Sequence, residues 1–89
     1  MKAIITVIGK DKTGIIYNVS KVLKELDVNI EDITQTVMQE YFTMLMLVSL
    51  DPEKTSFRTL KDSLEKTAER EQLSIRIQKE EIFDAMHKI

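Results

Sequence analysis

An α+β fold, with a four-stranded antiparallel sheet ordered 4-1-3-2 beneath two helices, is what this 89-residue sequence predicts. Three observations predict it. The hydrophobic period switches between that of strands and that of helices in the order β-α-β-β-α-β. The first and third strand runs are apolar on both faces and the second and fourth are more polar, as central and edge strands are. Only two glycines and one proline interrupt the chain, so most of it is regular structure.

Residues 2–9 are rich in β-branched side chains, with Ala3, Ile5 and Val7 on one face and Ile4 and Ile8 on the other. A polar turn follows from Gly9 to Gly14, in which Asp11 or Thr13 can cap a helix. Ile15, Ile16, Val19, Val22, Leu23 and Leu26 then fall on one helical stripe, opposite Lys21, Lys24 and Glu25. Asp27-Val28-Asn29 marks the exit. Residues 28–38 form a strand whose phase changes: Val28 and Ile30 share one parity, Ile33 and Val37 the other. A bulge near Glu31-Asp32 reconciles them. Gln39-Glu40 makes a hairpin turn into residues 41–50, again apolar on both faces.

Asp51-Pro52 breaks that strand, and Thr55 or Ser56 caps a second helix with the stripe Phe57, Leu60, Leu64 and Ala68. Leu73, Ile75 and Ile77 alternate with Ser74, Arg76 and Gln78 in a half-exposed edge strand. Ile82, Phe83, Met86 and Ile89 give the tail a helical stripe. The expected division is a domain over 1–79 and an amphipathic helix over 80–89 that covers the sheet or a subunit interface.

Two right-handed β-α-β crossovers joined by a hairpin make a ferredoxin-like sandwich. Both helices then lie on one face, and the inner strands still offer apolar side chains to the other. Met44 and Met46 are assigned to that bare face, where a charge would disrupt a partner and spare the fold. A patch of this kind is usually covered, here by the tail, a second subunit or both. The second strand carries Thr34, Gln35 and Thr36 with no proline or lysine guard, so its edge is free to pair across a two-fold axis.

Several function classes are disfavoured. The net charge of −2 lacks the basic surplus of a nucleic-acid binder, and the central strands lack an aromatic platform. No apolar run approaches membrane-spanning length. With no cysteine, disulfides, thiolate metal sites and cysteine nucleophiles are excluded. Glu31 and Asp32 are adjacent and face opposite ways on a regular strand, which argues against a carboxylate pair. The charged run from Glu65 to Glu71 reads as a solvated helix face. His87, the single histidine, stands three residues from the end, a poor place for catalysis. The expectation is a cytoplasmic, non-enzymatic protein with no metal, no cofactor and no nucleic-acid or membrane partner.

The stretch Ile5-Thr6-Val7-Ile8-Gly9-Lys10-Asp11-Lys12-Thr13-Gly14-Ile15-Ile16 resembles the opening of an ACT domain: a strand, an Asp-Arg-Pro-Gly-like turn, then a helix. Val28-Asn29-Ile30-Glu31-Asp32-Ile33 resembles the start of that family's second strand. The resemblance covers nearly the whole chain. It is similar to stand-alone ACT-domain proteins of bacteria and archaea and to the modules of the glycine-cleavage repressor.

The resemblance implies a regulatory homodimer sensing a small metabolite, commonly an amino acid. Its ligand would lie where the first turn of one subunit meets the second strand of another. In this sequence those positions are Lys10, Asp11, Lys12, Thr13 and Gly14, with Asn29 and Ile30. Turn N–H groups at a helix start favour a carboxylate, and Asp11 can hold an ammonium group. Asn29 offers both a donor and an acceptor. Lys12-Thr13 departs from the Arg-Pro pair, so the turn lacks proline's fixed φ. Two alternatives are a protein–protein adaptor using the open sheet face and an acylphosphatase-like enzyme. The second fits poorly, because Lys10 and Lys12 cannot form the bidentate fork of an arginine.

Overall fold

A computed structural model describes residues 1–81 of the chain. The tail helix expected over 80–89 lies, beyond its first two residues, outside the described residues. The β-branched run makes β1 (Lys2–Gly9), and the helical stripe makes α1 (Lys12–Glu25). The hairpin strands are β2 (Asn29–Met38) and β3 (Tyr41–Ser49), followed by α2 (Phe57–Glu71) and β4 (Ser74–Lys79). The sheet is antiparallel between neighbours and ordered β2-β3-β1-β4, the predicted 4-1-3-2 read from the other edge.

The core fills the space between the sheet and both helices. Ala3, Ile5 and Val7 of β1 and Phe42, Met44, Met46 and Val48 of β3 meet Ile15, Val19 and Leu23 of α1 and Leu60 and Leu64 of α2. None is more than 2% exposed. The other face of the two inner strands carries Ile4, Thr6, Thr43, Leu45 and Leu47, all half-buried, and no described element lies over it.

This corrects the placement of the methionines. Met44 stands opposite Val7 and Met46 opposite Ile5, so both point at the helices. Leu45 and Leu47, which alternate with them, take the open face. A strand apolar on both sides gives no internal sign of which face is covered, and a one-residue slip exchanges the two sets.

The bulge forms where the phase changes. The β2–β3 register shifts between Ile30 and Asp32, leaving Glu31 as the extra residue. The hairpin turns at Gln39-Glu40 as expected, with Gln39 in the left-handed region at φ 56°. Beyond the bulge β2 is uncovered. Every residue from Glu31 to Glu40 is exposed, including Ile33, Val37 (63%) and Met38 (70%).

The two helix starts are capped by side chains, as their sequences require. Ser56 Oγ accepts from the Thr59 N–H, while Thr55 does a different job: its hydroxyl donates to the Leu26 carbonyl at 2.5 Å. That bond joins the end of α1 to the approach to α2. Thr67, rather than Ala68, completes the buried stripe of α2, because its hydroxyl is satisfied by the Ser63 carbonyl one turn back. Lys54 reaches Asp27 at 3.1 Å, and this hydrogen bond, followed by the carboxylate's charge, lifts the ammonium pKa above its ordinary 10.5. With an upward shift the benefit is complete below pH 10.5 and fades only above it, so near neutrality it is fully present and adds no pH dependence to stability.

Candidate functional site

The turn that leads into α1 is built around Asp11. Its backbone is extended (φ −92°, ψ 94°) and its carboxylate accepts the Gly14 N–H at 3.1 Å, the expected cap of a helix N-terminus. A Cβ on Gly14 would stand only 2.7 Å from Asp11 Oδ2, so the carboxylate packs against the glycine closely and would have to shift for a larger residue. Asn18, one turn on, donates to the Gly14 carbonyl at 2.8 Å and to Glu71 Oε1 at 3.0 Å, bracing the turn against the end of α2. Asp11→Ala should therefore cost about 1 kcal/mol with no ligand present, and Asp11→Asn much less, by urea denaturation. Unchanged stability of the alanine variant would remove the capping role.

The lysines of the turn are oriented by aromatic rings of β3. Lys10 Nζ lies 5.6 Å from the Tyr41 ring centroid and 3.7 Å from Glu40 Oε1. Lys12 Nζ lies 5.8 Å from the Phe42 ring centroid. These exposed contacts are weak, but they set the cations beside the helix N-terminus, where the partial positive charge of α1 already favours an anion. Thr13 is exposed on the first turn of the helix.

Asn29 and Ile30 are elsewhere. Asn29 is paired through Ser49 with Lys2, at the opposite end of the sheet from Gly9. The eight residues of β1 hold the two ends about 23 Å apart at ~3.3 Å per residue. Asn29 Nδ2 donates to Glu31 Oε2 at 2.9 Å, so the bulge residue orients the amide. One chain thus gathers Lys10, Asp11, Lys12, Thr13 and Gly14 but does not bring them to Asn29 and Ile30.

What a single chain does form is a groove of about 500 Å³ behind the turn. Lys10 and Asp11 line it together with Ile8, Gly9, Tyr41 and the α2–β4 connection Glu71–Ser74. Its depth depends on Gly9, where a Cβ would fall 2.5 Å from Leu73 Cδ2 and 2.8 Å from Ile15 Cδ1. Sequence reasoning misses Tyr41 and Leu73 because only long-range strand pairing brings them to the turn. Gln72 gives a faint signal, a polar residue that takes the left-handed conformation (φ 56°, ψ 49°) needed to end α2. Asp11 and Glu71 are each engaged, with Gly14 and with Asn18 and Arg70. Among the described residues no cluster of three or more His, Cys, Asp or Glu is placed to hold a metal ion, and no helix is long and apolar enough to cross a membrane.

The family model for the ACT domain matches residues 2–78. This chain belongs to the ACT-domain family. The ACT domain described here is 53% identical to a UPF0237 protein of Clostridium acetobutylicum and 52% identical to one of Streptococcus mutans, over the full length of each pair. Its fold is similar to that of an ACT domain protein from Streptococcus pneumoniae, with a TM-score of 0.81 and 50% identity over 98% of both chains. It also resembles a structure described as a glycine cleavage system transcriptional repressor, with a TM-score of 0.76 and 25% identity over 86% of this chain and 44% of that one. The sequence resemblance to ACT modules is thereby confirmed, and with it the ferredoxin-like fold.

Proposed function

We propose that this ACT domain is a regulatory module that binds a small metabolite, most simply an amino acid, between two copies of itself. One observation carries the reading: the two halves of the expected site lie at opposite ends of one sheet, and β2 offers a free edge that would reunite them. β2 runs parallel to β1, since both are antiparallel to β3. A second β2 laid antiparallel across a two-fold axis runs the other way. Asn29 and Ile30 of the second copy then arrive at the end where Lys10–Gly14 stand.

The register follows from the edge itself. The bulge at Glu31 and the turn at Gln39 bound a regular stretch, Asp32–Met38, whose midpoint is Gln35. Symmetric pairing sets Gln35 against Gln35 and Ile33 against Val37 of the second copy, burying two exposed apolar side chains on each side. Asp32, the one charge in the stretch, meets Met38, so no like charges oppose.

At the composite site the carboxylate of an amino acid would face the N-terminus of α1 with Lys10 and Lys12, and its ammonium group the Asn29 carbonyl oxygen. We read the module as non-catalytic, because the turn offers lysines and a capping aspartate in place of a phosphate-gripping guanidinium. The test is a thermal-shift screen of single amino acids on wild type and Asn29→Ala. A ligand at a hundred times its Kd stabilises by about 2.7 kcal/mol, on the order of 10 °C for a domain of this size. The shift should shrink in Asn29→Ala while the dimer persists. A screen in which no amino acid moves the wild-type midpoint sinks the ligand assignment.

A further inference from the structure

The uncovered sheet face carries apolar side chains at both ends, Ile8, Tyr41 and Met38 at one and Ile4, Leu45 and Leu47 at the other. Ile4 and Leu47 are direct neighbours across β1 and β3, and Leu45 stands one row further in beside Thr6. All three are half-buried. Thr6 and Thr43 lie between the two apolar groups, and on β4 the face carries Ser74, Arg76 and Gln78. The end with Ile4 is where the described chain runs out: Gln78 pairs with Ile4 and Lys79 with Ala3. Neighbouring strands are about 4.8 Å apart, so Ile4 lies roughly 5 Å and Leu47 roughly 10 Å from the strand that delivers the tail.

We propose that residues 82–89 pack on the open face of their own chain, over Ile4, Leu45 and Leu47. Ile82, Phe83, Met86 and Ile89 recur at i, i+1, i+4 and i+7, a single helical stripe. Eight helical residues are about 12 Å long, enough to cross from β4 to β3. The exit of the chain selects this occupant over a second copy, because β4 delivers the following residues beside Ile4, next to Leu47 and Leu45. The inference stands apart from the ligand reading, since the pairing edge and the turn lie elsewhere.

The sequence has no cysteine, so introduced thiols report alone. The experiment treats Leu47→Cys/Phe83→Cys with a short bis-maleimide and reads the products by intact mass, with Tyr17→Cys/Phe83→Cys as control. Tyr17 is 64% exposed on α1, an element of the opposite layer. A bridge within one chain should form at least ten-fold faster in the first variant than in the control. Leu45→Cys/Met86→Cys repeats the measurement should the Leu47 change disturb folding. Equal rates in test and control, or a bridge joining two chains, overturns the proposal.

Discussion

Met46→Glu will leave the chain unfolded, and Leu47→Glu, one position along the same strand, will leave it folded. Met46 is 0% exposed between Ile5 and the helices, while Leu47 lies half-buried on the face the helices do not reach. Losing a buried methionine costs about 2–5 kcal/mol, and a carboxyl group without a partner in that core adds several kcal/mol more. A domain this small draws its stability from the ~5–15 kcal/mol typical of folded proteins, so the combined loss exhausts it. Far-ultraviolet circular dichroism of the two variants makes the comparison. Leu47→Glu should unfold cooperatively at a lowered midpoint. A folded Met46→Glu would show that the strand's faces are exchanged.

If two copies pair through β2 as proposed, Val37→Lys should divide that dimer into folded monomers. Val37 is 63% exposed in the single chain, so a lysine there meets water and the fold tolerates it. In the paired sheet each Val37 faces Ile33 of the other copy. Burying a side chain of that size is worth about 1.5–3 kcal/mol, and the contact occurs twice. Replacing both with lysines weakens association by roughly 3–6 kcal/mol, a factor on the order of 10² to 10⁴ in Kd. Sedimentation equilibrium across the micromolar range reads this directly. A wild type monomeric throughout, or a variant that dimerises as well, removes the β2 edge from the interface and the composite site with it.

The strands, helices, hairpin and bulge are legible because each leaves a local trace. Val28 and Ile30 against Ile33 and Val37 record the bulge as a change of parity, and Asp11 three residues before Gly14 records the cap. The faces of β3 leave no such trace. Met44, Met46, Leu45 and Leu47 are all apolar, and only pairing with Ile5 and Val7 shows which pair is covered. The candidate site is legible in part for the same reason. Lys10–Gly14 are contiguous and can be read together, whereas Tyr41 and Leu73 reach the groove through contacts thirty or more residues distant in sequence.

The two margins of the sheet are unequal, and this has a consequence for how far assembly can proceed. β4 has only six residues, with Arg76 exposed along it and Lys79 drawn over the Phe57 ring at 5.6 Å. Short, cationic borders resist recruitment. A growing ribbon needs an acceptor at each end, and this molecule has one. In the proposed pairing two copies join along it and leave only guarded borders, so assembly would terminate in a closed unit and fibres would have nowhere to start.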